Sequence, residues 1–409
     1  MKPFFTLKQT QSKSRPDGKP QTCTSCGLLK HCITPRMQPH GNFKKHIMII
    51  GDAPTQVDDE QGKPWQSKTG RFLKKTLKKL GIDLWEDCMS LYAVCCRPVD
   101  CNGKTRAIGP KEASSCRKAV LKWVQEYQPK IIILLGNIPL ESLIGHRWPN
   151  EKLGGINKWR GWQIPDQDFK AWVCPTFHPQ FVIYEDKPDV EVIWEQDLKK
   201  ALSLLDTSFL KWQTPTIHYI QDLAPLDVLE NIQVVIDYET TGLKPYAQGQ
   251  RIICAAVAIN ENTAYAFLMP STKKARQPFL KLLANNRVGK IAHNMKFEEN
   301  WSVTKLKQPV LGWDWDSMVA AHIMDNRQGV TGLKFQTYVN FGVIDYASEV
   351  TPYLNSKNDK NNNINDIHEL LKSKAKTKLL LEYCAMDTIA TYRLAMKQIK
   401  EINYSFLPF

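Results

Sequence analysis

Asp237 and Glu239 close an apolar run in VVIDYETTGL, and their type and spacing are suited to chemistry. On a strand, residues two apart project from the same face, so the two carboxylates stand side by side. Such a pair repels itself unless a cation lies between its members, and a divalent ion taking oxygen ligands meets that need. Tyr383 and Asp387 fall in LLLEYCAMDTIATYRL, whose apolar residues recur with helical period, and a spacing of four sets both on one helix face. Glu298 follows Asn294 and Lys296 in HNMKFEENW and supplies a further acid, with Glu299 as a weaker alternative. Singly, an Asp-x-Glu pair is usually surface and a helical Tyr is usually packing. In this order, and after these strand patterns, the residues read as a set.

A second set is made of thiols. CTSC places Cys23 and Cys26 at metal-ligand spacing, and two more ligands would have to come from Cys32, Cys88, Cys95, Cys96, Cys101 or Cys116. Spacing does not choose among them. A four-cysteine zinc (Zn²⁺) site and reduced cysteines without metal both fit.

These residues need elements to position them. IMII running into GDAPT, IIILLG, and WVCPTFHP are continuous apolar runs, the pattern of parallel strands covered on both faces. Ligands in such sheets bind beyond the carboxyl ends of the strands, where Asp52 and His178 fall. RFLKKTLKKLGI and CRKAVLKWVQEY have helical apolar spacing, the first with a lysine-rich outer face. That face could track phosphates or simply be solvated. In the second half, VVIDYETTGL, IICAAVAI and AYAFLM read as an antiparallel meander, followed by helical patterns and an Asn/Lys/Asp-rich loop, NSKNDKNNNIND. No internal repeat is seen. The reading is an α/β chain with a flexible basic tail at 1–20, a first domain at 21–205, a linker at 206–213 and a second domain at 214–409.

Composition narrows the function. The 409 residues suffice for two cores, and 43% apolar with 23% charged residues is a globular balance. Fifty-five basic against 41 acidic residues give a net charge of +14, which favours a polyanionic partner, nucleic acid above all. No apolar run is long enough to span a membrane and the N-terminus lacks a signal-peptide core, so a cytoplasmic protein is expected. Eleven cysteines in that compartment suggest metal binding or buried thiols rather than a disulfide framework.

DYETTGL, HNMKFEENW and YCAMD resemble the three motifs of the DnaQ-like 3′–5′ proofreading exonucleases of family-A DNA polymerases. The resemblance covers roughly the last half of the chain and implies an RNase H-like fold and two Mg²⁺ or Mn²⁺ ions flanking the scissile phosphate. It implies that Asp237 bridges both ions, that Glu239 and Asp387 complete one site, and that Tyr383 orients the attacking water. Glu298 stands where the family usually carries Asp. Asn294 and Leu243 match positions that grip a frayed single-stranded 3′ end, and Asp316, in WDWDSMVAAHI, matches a recurring acid read here as structural.

CTSCGL, GDAPTQVDDEQGKPW, CCRP, the later SSC and FHPQF resemble the iron–sulfur uracil-DNA glycosylases. That family has an α/β fold and a four-iron four-sulfur (4Fe–4S) cluster, and the resemblance implies Cys23, Cys26, Cys96 and Cys116 as its ligands. Trp65 matches the Phe that stacks on the flipped base, and His178 matches the histidine that bonds uracil. Asp52 replaces a Glu, Thr55 a Gly, and Tyr92 the Asn whose amide reads the pyrimidine edge. Tyr92 argues against efficient uracil excision, and a packed His178 and a core or surface Trp65 remain the competing reading.

A glycosylase-like domain ahead of a proofreading exonuclease resembles the N-terminal half of certain bacteriophage family-A polymerases. The chain ends soon after YCAMDTIATYRL, without room for palm, fingers and thumb. The expectation is a metal-dependent 3′–5′ exonuclease acting on DNA, either standing alone, as one piece of a split polymerase with a separate polymerase subunit, or as a truncated piece. An active glycosylase and a noncatalytic DNA-binding or docking module are the alternatives.

Overall fold

In the first half, three runs of apolar residues form strands because each can be covered on both faces. They are β1 (Ile47–Gly51), β2 (Cys88–Tyr92) and β3 (Ile131–Leu135), and every residue of the three is buried. With β4 (Ile164–Asp166) and β5 (Ala171–Thr176) they make one sheet of order β2-β1-β3-β5-β4. The first four strands in that order run parallel and β4 is antiparallel at the edge. Helices α1 (Gln56–Gln61), α2 (Lys68–Lys79), α3 (Pro110–Tyr127), α4 (Asn137–Leu143), α5 (Ile156–Trp159), α6 (Pro179–Glu185) and α7 (Pro188–Leu202) connect them. Helix α2 turns Gly70, Leu73, Thr76 and Leu77 inward and leaves its lysines outside. Complete burial of Leu73 and Leu77 contributes about 2 kcal/mol each.

The second sheet has order β11-β10-β7-β8-β9-β6, from β6 (Thr216–Tyr219), β7 (Gln233–Thr240), β8 (Ile252–Asn260), β9 (Thr263–Leu268), β10 (Gly289–Ala292) and β11 (Trp313–Asp316). β7, β8 and β9 form the antiparallel meander. β10 runs parallel to β7, and β11 parallel to β10, while β6 adds in parallel to β9. Helices α8 (Lys273–Ala284), α9 (Met295–Trp301), α10 (Ser317–Met324), α11 (Leu333–Phe341), α12 (Thr351–Leu354) and α13 (Lys374–Ser405) follow. α13 lies across β7, β8 and β9.

The chain divides into two units, Met1–Trp212 with Tyr338–Val343, and Gln213–Thr337 with Ile344–Phe409. Each has its own core, one around Ile47, Leu73, Ile133 and Trp194, the other around Val234, Ile236, Phe279 and Trp301. This computed structural model describes Cys23 and residues 25–405, apart from 101, 149–151, 231, 345 and 355–363. The basic tail at 1–20, Cys101 and most of the Asn-rich loop therefore lie outside the described residues. The end of that loop does not: Asn365 caps a 3₁₀ turn at Asp366–Leu371. Its amide donates to the carbonyls of Thr240 at 3.0 Å and Leu354 at 3.2 Å. Among the described residues, no helix is long and apolar enough to cross a membrane.

Candidate active site

β7 ends with Asp237 and Glu239 on one face, opposite Ala256 and Cys254 of β8. α13 crosses this face and brings Tyr383, Cys384 and Asp387 to it. The donor atoms of Asp237, Glu239 and Cys384 all lie within 4.8 Å of one another. Cys384 Sγ donates towards Asp237 Oδ2 at 3.4 Å. Burial, with repulsion from Asp387, pushes the Asp237 carboxyl up to about 7. Burial and the Asp237 charge raise Glu239 as well. Glu298, on α9, is raised by the same two causes, and its Oε2 is buried with no hydrogen-bond partner. Carboxylates so placed are destabilised as anions until a cation joins them, which is the condition a divalent-metal site meets. The residues present fit such ions.

Two residues on the α11 side complete the cluster. Lys334 Nζ donates to Asp387 Oδ1, and the Tyr346 hydroxyl donates to the same oxygen at 2.6 Å. The Lys334 ammonium also lies 4.1 Å from the Tyr346 ring centre and 4.2 Å from that of Tyr383. Tyr383 is buried, and burial first, then the Asp387 charge, keeps its phenol protonated.

Asp316 does structural work. One oxygen accepts from the Met318 and Val319 amides and caps α10, while the carboxylate also accepts from Asn294 N at 3.1 Å and Met295 N at 2.9 Å. That grip fixes the turn at which Asn294 adopts a left-handed φ of 76°, a conformation Asn tolerates better than most residues. Leu243, on the loop after β7, is 76% exposed.

In the first unit, Asp52 and His178 lie just beyond the ends of β1 and β5, with Gly136 after β3 between them. At Gly136, whose φ is +102°, a Cβ would sit 3.0 Å from Asp52 Oδ1 and 3.2 Å from His178 Cβ. Asp52 is half-buried, its Oδ1 is fully buried with no hydrogen-bond partner, and that burial pushes its carboxyl up to about 7. Burial lowers His178 to about 4, and its Nδ1 accepts from Gln180 N at 3.2 Å. The neutral ring therefore carries its proton on Nε2.

Trp65 and Tyr92 are 2% and 3% exposed. The Trp65 ring centre lies 5.2 Å from that of Tyr92 and 5.8 Å from that of His178. Both rings press on Gly51, where a Cβ would come within 2.5 Å of Trp65 and 3.1 Å of Tyr92. The Tyr92 hydroxyl accepts from Trp65 N at 3.0 Å and donates to Asp58 Oδ2 at 2.9 Å. Asp58 is fully buried and also accepts from Thr55 Oγ1 at 2.7 Å and Gln66 N at 2.6 Å. Thr55 and Asp58 together form the capping box of α1. The residues that replace the family's Gly and Asn are thus joined in one network, and Trp65 has its face against protein.

The thiols gather at a separate place. Cys26, Cys32, Cys95, Cys96 and Cys116 pack with Leu28, Val94 and Ala113, whereas Cys88 is buried in the main core of the same unit. Arg36 donates its backbone N–H to Cys96 Sγ at 3.3 Å and its Nε to Cys23 Sγ at 3.2 Å. Cys95 N donates to Cys116 Sγ at 3.5 Å. Donors aimed at sulfur and a nearby guanidinium suit thiolates bound to a cluster.

Residues 38–199 match the family model of the uracil DNA glycosylase superfamily, and residues 219–403 match that of a 3′–5′ exonuclease. The type-4 uracil-DNA glycosylase of Saccharolobus solfataricus is 31% identical over 190 residues, 45% of this chain and 82% of that protein. The chain belongs to the uracil-DNA glycosylase superfamily. Its second unit is a 3′–5′ exonuclease domain. A DNA polymerase of Bacillus phage SP01 is 25% identical over 342 residues, 73% of this chain and 34% of that polymerase. The solved structure of Brucella melitensis NrnC with bound Mg²⁺ is 20% identical, with 47% of this chain and 84% of that chain covered at a TM-score of 0.32.

Sequence reasoning missed Lys334, Tyr346 and the placement of Cys384. Lys334 sits in GLKFQTY without any pattern linking it to Asp387, 53 residues away. Cys384 lies inside YCAMD, but only the crossing of α13 over β7 reveals that its thiol faces Asp237.

Proposed function

We propose that the exonuclease domain hydrolyses DNA from the 3′ end in a reaction that requires Mg²⁺ or Mn²⁺, as a proofreading nuclease does. The observation that carries this reading is the buried cluster of Asp237, Glu239, Glu298 and Asp387, in which Glu298 Oε2 has no partner and Asp237 is raised to about 7. Two bound ions would activate the attacking water and stabilise the leaving 3′ oxygen. Asp237, Glu239 and Asp387 would hold them, and Glu298 would reach an ion or its water. Lys334 holds Asp387 and packs on Tyr383, so the carboxylate and the phenol that orients the water keep a fixed relation. Exposed Leu243 would wedge against the terminal base and Asn294 would bind the frayed strand.

The glycosylase-superfamily domain is assigned to 21–205 and the nuclease to 214–409, joined by 206–213. The first domain is read as a DNA-binding module that carries a 4Fe–4S cluster on Cys23, Cys26, Cys96 and Cys116. Trp65 and Tyr92 fill the place where a flipped base would stack, which opposes uracil excision. Asp52 and His178 beyond the strand ends favour the second reading, a glycosylase with altered chemistry. A role as the editing piece of a split polymerase in a phage-infected cytoplasm is compatible with the polymerase similarity.

The test is a time course on two 5′-labelled oligonucleotides, one with a single uracil, using wild type and Asp237→Ala in Mg²⁺, Mn²⁺ and EDTA. A metal-dependent ladder shortening from the 3′ end, weakened at least about a hundredfold in the variant, is expected. Intact DNA under all conditions would refute the nuclease reading. A uracil-specific, alkali-revealed break persisting in EDTA would establish the glycosylase instead.

A further inference from the structure

We propose that Cys384 makes the exonuclease centre a mixed oxygen–sulfur site for thiophilic divalent cations, with Asp237, Glu239 and the Cys384 thiolate as ligands. The proposal rests on the reading of Asp237 and Glu239 as metal ligands and adds a ligand that the nuclease reaction does not use.

Geometry carries the argument. Donor atoms of the three residues lie within 4.8 Å of one another. Cys384 is fully buried, and its sulfur is already 3.4 Å from Asp237 Oδ2. A zinc ion with bonds of about 2.0–2.3 Å sets its ligand atoms roughly 3.3–3.8 Å apart, so closing the site needs movements of about 1 Å. Asp387 Oδ1 already accepts from both Lys334 and Tyr346, so its other oxygen is the one left for an ion. Glu298 Oε2, buried and without a partner, is a second sign of a cation site, since the acids of the centre outnumber the Lys334 ammonium placed among them.

Ligand softness sets the selectivity. Mg²⁺ demands octahedral oxygen ligands and gains little from a thiol, and Mn²⁺ shares that preference. Zn²⁺ and Cd²⁺ accept carboxylate and thiolate together. On their binding the Cys384 S–H bond breaks, its proton passes to solvent and a sulfur–metal bond forms, with no change of oxidation state. An ion so held uses the two β7 carboxylates, so it competes with Mg²⁺ or Mn²⁺ for the centre. The same thiol could instead be only a buried donor to Asp237, and this is the outcome that the experiment must separate.

The full chain is titrated with Cd²⁺ while its sulfur-to-cadmium charge-transfer absorption is recorded, in wild type, Cys384→Ala and Cys384→Ser. Thiols of the first domain contribute equally to all three and cancel in the difference. Bound Mn²⁺ is followed separately by electron paramagnetic resonance. The expected result is a saturable absorption present in wild type alone, and displacement of Mn²⁺ by Cd²⁺ at least about tenfold weaker in both variants. Mn²⁺ binding itself should persist in the variants, which also shows that the centre is intact. Identical Cd²⁺ spectra and identical competition in all three proteins would overturn the proposal while leaving the carboxylate site standing. Failure of wild type to bind either ion would overturn both.

Discussion

Lys334 has no sequence signature, yet its ammonium meets Asp387 and two tyrosine rings. Removing one partner of a largely buried ion pair leaves the other charge uncompensated, which is far costlier than losing an exposed pair. Lys334→Met should therefore lower kcat on single-stranded DNA by roughly 10–100-fold with a smaller change in KM, because it loosens Asp387 and Tyr383 rather than the grip on DNA. Single-turnover kinetics check this, and an unchanged kcat would remove Lys334 from the site. Asp52 gives a prediction in pH. Its folded value is about 7 against an ordinary 3.8, so the folded chain keeps a proton that the unfolded chain releases. The stability this group contributes is complete below 3.8 and is lost as pH rises through about 7. Asp52→Asn cannot ionise, so its Tm should gain on that of wild type as pH rises through that window; calorimetry at several pH values measures it. At this scale the paired acids were legible because a strand fixes where residues two apart point. Lys334, Tyr346 and Cys384 were not, because each meets the carboxylates only through the crossing of separate elements.

The strands that a reader of sequence finds are those buried on both faces, such as Ile47–Gly51 and Ile131–Leu135. β4 is three residues long and contains Pro165, and β6 is largely exposed, so neither carries the apolar signal that marks a central strand. Edges of sheets are poorly encoded for this reason, and the parallel pairing of β6 to β9 is set by tertiary structure alone. Helix α2 was legible in its buried side but ambiguous in its outer one. Arg71, Lys75 and Lys78 are exposed along it, while Lys79 pairs with Glu195. If that face follows a DNA backbone, Lys75→Gln with Lys78→Gln should flatten the slope of log affinity against log salt by about 1.4–1.8. Fluorescence anisotropy over a range of salt decides this, and an unchanged slope would make α2 a solvated face.

Two sheets with separate cores place two sets of candidate metal ligands in one chain, thiols in one unit and carboxylates in the other. In the sequence the apolar pattern changes from continuous parallel-strand runs to a meander after DTSFLKWQTP. The proposed cofactors should therefore respond separately. EDTA should abolish cleavage and leave the iron–sulfur absorption in place, whereas oxidative loss of the cluster should bleach the protein and lower the melting of the first unit with cleavage retained. Parallel measurement of absorbance and nuclease rate tests this, and loss of both signals together would show that the units depend on each other. One stitch in the second unit has a bearing on how such a chain can change over generations. Asn365 ties the far side of segment 355–363 to Leu354 on its near side and to Thr240 at the end of the strand bearing the two acids. Asn365 is thus a position at which drift should be constrained: Asn365→Ala, which leaves the Thr240 and Leu354 carbonyls without that donor, should cost about 1–3 kcal/mol of stability, read from thermal melting.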